Sequence, residues 1–143
     1  VTEVKRAMLK AAPPCELAIV DGSPGIGCPV IASVNGMDLV LVVAEPSGSG
    51  ISDLKRLCAT AATLQVQLAV CVNKYDVSPQ HTERIETFCR QQGIAFVGKI
   101  PFDPMAVRAV NEGTTVVDID CPAGRAVREI FAKLTALLTE RSI

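Results

Sequence analysis

The residues that could do chemistry fall in three places. Asp21-Gly22-Ser23-Pro24-Gly25-Ile26-Gly27-Cys28-Pro29 follows a short apolar run, Leu17-Ala18-Ile19-Val20. An acid at the end of a strand, followed by exposed loop N–H groups, suits a divalent cation and an oxyanion. Asp21 fits magnesium, held through water because that ion gives up its hydration shell reluctantly. Gly22, Gly25 and Gly27 let backbone N–H groups approach a phosphate that a Cβ would hold away. Further along, Asn73 offers donor and acceptor on one amide and can read a purine edge. Asp76 and the stretch Pro101-Phe102-Asp103 lie at neighbouring strand ends and would complete a base pocket. Singly, each has an ordinary reading as a strand end, a turn residue or a helix cap. Their order along the chain is what favours a nucleotide site.

The six cysteines, Cys15, Cys28, Cys58, Cys71, Cys89 and Cys121, include no C-x-x-C pair. That spacing argues against a locally encoded zinc or iron–sulfur site. Cys58, Cys71 and Cys89 fall at apolar positions and read as small buried hydrophobes. Cys28 lies in the glycine loop and is the one candidate for a thiol role. His81, near a helix start, reads as solvated.

Elements that would position these groups alternate along the chain. Residues 1–12 have the pattern of an amphipathic helix stopped by Pro13-Pro14. Residues 17–20 read as a short buried strand, and Cys28–Val34 as a helix with Pro29 in its first turn and Asn35-Gly36 at its end. Residues 38–44 hold a continuous apolar run, expected to be a strand covered on both faces. A helix follows, with Ile51, Leu54, Leu57, Cys58, Ala61 and Leu64 on its inner side. Residues 66–72 form the next strand, Ser78-Pro79 opens a helix, and Gly93 closes it. Residues 94–100 are a fourth strand, 105–111 a short helix, and the stripe Val127, Ile130, Phe131, Leu134, Leu137, Leu138 a long last helix. Strands alternating with helices predict a three-layer α/β fold, a mostly parallel sheet with helices on both faces. No repeat or boundary divides residues 1–143, so a single domain is expected.

With 49% hydrophobic and only 3% aromatic residues in 143, small and branched aliphatics must fill the core. The 14 basic and 15 acidic residues give a net charge of −1 without long blocks, so no nucleic-acid surface built on bulk charge is expected. No apolar run approaches the roughly 18 residues of a membrane span, and no signal-peptide layout is present, so a soluble cytoplasmic protein is expected. The chain opens at Val1 within a helical pattern, which predicts a piece of a longer protein.

Taken with Glu45-Pro46, Asn73-Lys74-Tyr75-Asp76 and Ile100-Pro101-Phe102-Asp103, the loop from Asp21 to Val30 resembles the MinD/ParA/Mrp superfamily of deviant-Walker ATPases. The subgroup it is most similar to is the MinD-like ATPases with an inserted ferredoxin domain. The resemblance covers nearly all of this chain and only the C-terminal part of the family domain. It implies a P-loop NTPase-like fold, ATP and magnesium as ligands, an iron–sulfur cluster in the ferredoxin insert, and a homodimer. Asp21 matches the family's metal-site aspartate, Gly25 the glycine whose N–H faces the γ-phosphate, Asn73 the asparagine on adenine, and Pro101 to Asp103 the loop flanking the base. Cys28 stands in a Gly-Cys-Pro sequence of the same subgroup.

The departure from the family is that no G-x-x-x-x-G-K-[ST] or lysine-rich variant occurs in the chain. The family's phosphate loop and ferredoxin insert lie upstream of the matching segment. This chain alone is therefore expected neither to hydrolyse ATP nor to bind it tightly. Without the phosphate-loop strand the sheet has an open edge. It should either close by pairing 17–20 with 39–43 or be completed by another chain. Two other readings stand beside this one. Asn73-Lys74-Tyr75-Asp76 fits N-K-x-D, a guanine-reading GTPase signature, although Pro24 stands where small GTPases carry glycine. The cysteine count also allows a partner-binding or iron–sulfur carrier module without turnover, with a cluster bridging Cys28 of two copies.

Overall fold

The computed structural model describes residues 17–22 and 27–140, together with Ala7. The helix expected over 1–12 and the loop glycine Gly25 lie outside the described residues, Ala7 apart, as does Cys15. Helix α1 spans Cys28–Val34, with Pro29 in the first turn, where a missing N–H leaves no bond unmade. Strand β1 is Leu39–Ala44, and α2 is Gly48–Thr63, capped by Ser47, whose hydroxyl accepts from the Gly50 N–H at 3.0 Å. Strand β2, Gln67–Asn73, ends in a 3-10 turn at Tyr75–Val77, and α3 is Pro79–Gln92. Strand β3, Ala95–Ile100, leads into α4, Pro104–Asn111, a second 3-10 turn at Val116–Asp118, and α5, Pro122–Thr139.

The described strands form one parallel sheet in the order β1-β2-β3. Helices α2 and α3 are the two crossovers and lie on the same face, as successive right-handed crossovers in one direction must. On that face Ala44, Val70 and Val72 pack with Leu54 of α2 and Ile85 and Cys89 of α3. On the other, Ala69, Cys71 and Val97 pack with Ile130 of α5, flanked by Leu39, Leu41, Leu134 and Leu137. The expected layering, helices on both faces of a parallel sheet, is what the chain forms.

Two strand expectations are corrected. Residues 17–20 are not in the sheet, and Leu17, Ala18 and Ile19 are exposed, Ile19 by 79%. A strand needs a neighbour to take its N–H and C=O groups, and among the described residues none is paired with this segment. Of the two ways of closing the sheet, the pairing of 17–20 with 39–43 is therefore not made. β1 is also only half covered, with Val43 55% exposed. Leu39, Leu41 and Val43 share the α5 face, but α5 packs chiefly on β3 and does not reach Val43. β2, in the middle, is buried over five consecutive residues, as the apolar run predicts.

One irregularity sets the geometry of the sheet's carboxyl end. Val70 pairs with Phe96, but Cys71 pairs with Gly98, so Val97 is an extra residue in β3. Such a bulge bends the strand and shifts its register. Here it places Ile100 opposite Asn73, bringing the following loop one residue closer to the end of β2. Gly98 carries the bulge at φ +153, and a Cβ there would lie 2.8 Å from Ile130 Cγ1. Only glycine meets both conditions.

Candidate functional site

In a parallel sheet ligands sit beyond the carboxyl ends of the strands. At those ends the three described strands deliver Glu45, Asn73 to Asp76, and Pro101 to Asp103. The turn after β2 is held from several sides. Lys74 adopts a left-handed conformation, φ 53 and ψ 46, uncommon for a residue with a Cβ. Its Nζ lies 3.5 Å from Glu45 Oε1, joining the ends of β1 and β2 across an exposed pair. The buried Thr82 hydroxyl donates to the Tyr75 carbonyl at 2.9 Å, which ties the turn to α3. The Lys99 ammonium stands 5.3 Å from the centroid of the Tyr75 ring and 3.0 Å from Glu86 Oε1.

Asp76 and Asp103 fasten the next loop. Asp76 Oδ1 accepts the Phe102 N–H at 2.8 Å, linking the ends of β2 and β3. Asp103 Oδ1 accepts the Met105 N–H at 3.0 Å and so caps α4. Its Oδ2 accepts the Ala123 N–H at 3.1 Å in the first turn of α5. Those two backbone donors, Ala123 first, hold the Asp103 carboxyl below the usual aspartate range. Both helix N-termini thus converge on one carboxylate, the arrangement their unpaired N–H groups and dipoles favour.

The structure brings together Asn73, Asp76, Pro101, Phe102 and Asp103. Strand alternation puts Asn73 on the α5 side, in register with Ile100, and Phe102, two residues beyond Ile100, is 56% exposed. Each Asp103 carboxylate oxygen accepts one backbone N–H, so the side chain shapes the loop. Asp21 and Gly22 are exposed, outside the sheet, and Gly25 lies outside the described residues. Among the described residues no group of three or more His, Cys, Asp and Glu side chains is gathered as a metal site. Asp21 alone suits only the water-mediated binding expected of magnesium.

Cys28 is exposed, whereas Cys71 and Cys89 are buried, and burial pushes both thiols up to about 11. His81 is half-buried, its Nδ1 2.7 Å from the Ser78 hydroxyl, so it is less solvated than its position near a helix start suggests. Thr82, Glu45 as a partner of Lys74, and Cys121 as a cap were not legible as site or cap residues. Cys121 caps α5 by accepting the Gly124 N–H at 3.3 Å. A separate open groove of about 720 Å³ runs between α2 and α3, lined by Ile51, Lys55, Gln80, Arg84 and Phe88 among others. None of the candidate site residues singled out in the sequence lines it. No helix among the described residues is long and apolar enough to cross a membrane.

No family model matches the chain. It is 33% identical over 126 residues to an uncharacterised ATP-binding protein of Methanocaldococcus jannaschii, covering 83% of this chain and 46% of that protein. It is 28% identical over 138 residues to an iron–sulfur cluster carrier protein of Pyrococcus furiosus, covering 87% of this chain and 47% of the relative. Another M. jannaschii protein, uncharacterised, is 28% identical over 119 residues, 83% of this chain and 40% of its own length. The chain therefore spans half the length, or less, of these curated relatives. In three dimensions it matches the MinD cell division protein of Aquifex aeolicus with a TM-score of 0.76 and 22% identity, over 94% of this chain and 59% of that one. The expected α/β, P-loop NTPase-like fold is the one observed.

Proposed function

Since this chain is a MinD/ParA/Mrp-like P-loop ATPase relative, we propose that it forms the base-binding part of an ATPase domain whose phosphate loop lies in sequence outside these residues. The full-length protein binds and hydrolyses ATP. Asn73 and the 101–103 loop contact adenine. Asp21 holds magnesium through water, which supplies charge neutralisation at the phosphates, and the Gly25 N–H faces the γ-phosphate. Residues 1–143 act as one α/β domain, inactive alone because no Gly-Lys-Ser or Gly-Lys-Thr cradle is among them. Coupling to an iron–sulfur cluster in a ferredoxin insert, a homodimer that completes the sheet edge at β1, and a cytoplasmic location belong to the same proposal.

The observation that carries it is the Asp76–Phe102 bond, which fixes Asn73 and the 101–103 loop as one surface beyond adjoining strand ends. The names of two relatives, an ATP-binding protein and an iron–sulfur cluster carrier, support the same direction. The test is equilibrium ATP binding by the full-length protein, its Asn73→Ala variant and the isolated chain. The reading expects binding, binding weakened at least about tenfold by the loss of one base-contacting amide of about 1.4 kcal/mol, and none, respectively. Equal affinity of variant and wild type would refute the assignment of Asn73.

Carriage of an iron–sulfur cluster by this segment itself is the second reading, favoured by the carrier name and by the exposed Cys28. Cys28 from two copies would supply two of the four thiolates a cluster takes, the others coming from outside this segment or from exogenous thiol. Iron and sulfide analysis of anaerobically purified protein, with and without Cys28→Ser, decides it.

A further inference from the structure

We infer that Cys58 and Cys89 are a redox pair, in which a two-electron oxidation joins the two sulfurs and clamps α2 to α3. Both crossover helices lie on one face of the sheet and run in the same direction, each returning the chain from the end of one parallel strand to the start of the next. Their Cα atoms approach within 8 Å. In the core of that face Leu54 stands with Ile85 and Cys89, and Cys58 packs against the same cluster. Cys58 follows Leu54 by four residues, and Cys89 follows Ile85 by four. One turn therefore carries both helices from the level of Leu54 and Ile85 to a level of two cysteines. Lys55, its ammonium 5.7 Å from the centroid of the Phe88 ring, joins the helices at that same height. Cys71 lies in the core on the opposite face of the sheet. Among the described cysteines, only Cys58 and Cys89 share a core cluster.

Burial first, and the neighbouring Cys58 second, push the Cys89 thiol up to about 11, and burial raises Cys58 as well. Both thiols stay protonated near neutral pH, so the pair rests reduced and exchanges slowly. Cys89 is wholly buried and Cys58 only partly, which makes Cys58 the first to react. The open groove between α2 and α3 reaches Lys55 and Phe88, next to the pair, and gives a small oxidant its approach. The oxidant is a low-molecular-weight disulfide. The Cys58 thiolate attacks one of its sulfurs, forming a mixed disulfide and releasing the first thiol. The Cys89 thiolate then attacks the Cys58 sulfur, the mixed S–S bond breaks, and the second thiol leaves. The protein gives up two electrons and two protons, and the small disulfide takes them.

The test exposes the folded full-length protein to oxidised glutathione at about pH 8.5, where thiolate is more plentiful. Free thiols are then alkylated and the peptides mapped without reduction. The peptides of Cys58 and Cys89 should be joined, and amide exchange in α2 and α3 should slow at least about tenfold, as a bond closing the loop between them predicts. Cys58→Ser, close in size, should abolish both effects. Cys71, on the other face, should remain a free thiol. Glutathione left on Cys58 with Cys89 free would mean that the sulfurs do not meet, and overturns the inference. Neither cysteine oxidised, a bond that leaves exchange unchanged, or slowing that survives Cys58→Ser overturns it too. So does a Cys58–Cys89 bond accompanied by oxidation of Cys71, since that marks pairing in unfolded chains.

Discussion

Substituting Gly98 tests whether the bulge in β3 is imposed by close packing. A Cβ at Gly98 would lie 2.8 Å from Ile130 Cγ1 and 3.3 Å from Cδ1, and the backbone there has φ +153. Ile130 is 5% exposed and sits within the α5-side core, so it has little room to turn away. Overpacking of this kind costs about 1–3 kcal/mol. A backbone angle that L residues rarely adopt adds about 1–3 kcal/mol. Gly98→Ala should therefore destabilise the chain by about 2–6 kcal/mol, a large part of a typical total of about 5–15 kcal/mol. The two contributions separate in a double-mutant cycle. Ile130→Ala removes both clashing atoms and should cost about 2–4 kcal/mol alone. In that background Gly98→Ala should cost only the backbone part, so the coupling energy equals the clash, about 1–3 kcal/mol. Urea unfolding of the four proteins, with slopes compared to verify that the unfolded state is unchanged, reads it out. Additivity within about 0.5 kcal/mol would refute the packing explanation.

Other consequences are simpler to measure. Cys121→Ala removes the sulfur that accepts from Gly124 and should cost about 0.5–1 kcal/mol, a loss Cys121→Ser recovers, as thermal melts would register. The Asp103 carboxyl is depressed in the folded chain, by the Ala123 N–H first and the Met105 N–H second. Its contribution to stability is therefore complete above the ordinary aspartate range and fades as pH falls through the lowered folded value. Asp103→Asn should flatten the acid limb of the stability–pH curve, and an unchanged limb would count against the bridging role. Thiol labelling near pH 8, followed by mass spectrometry, should find Cys28 modified far ahead of Cys71 and Cys89, whose thiols are buried and pushed up to about 11. Equal rates would contradict the burial.

Much of the fold is legible because its elements carry strong local signals. Val127, Ile130, Leu134, Leu137 and Leu138 lie on the inner side of α5 as the stripe predicts, while Phe131, expected with them, is 49% exposed. Ser78-Pro79 and Gly93 bracket α3, and the uninterrupted run in β2 marks a strand buried on both sides. The same signal misleads for β1 and for 17–20, because an apolar run reports an affinity for burial and not a neighbour to provide it. Val43 and Ile19 are as apolar as Val70, but no layer covers them. In the candidate site, spacing along the chain singled out Asn73, Asp76 and 101–103. It could not show that Asp76 reaches a residue 26 positions away, or that Asp103 serves two helices. The bulge at Gly98 and the Thr82 bond depend on register and on helix placement, which composition does not encode.

The central claim is that nucleotide is held at the carboxyl ends of β2 and β3. Amide chemical-shift mapping of the full-length protein during titration with ATP tests it most directly. The account expects the largest shifts at Asn73, Phe102 and Asp103, with Ile51 and Arg84 in the α2–α3 groove unmoved. Shifts centred on that groove, or none at the strand ends, would contradict it.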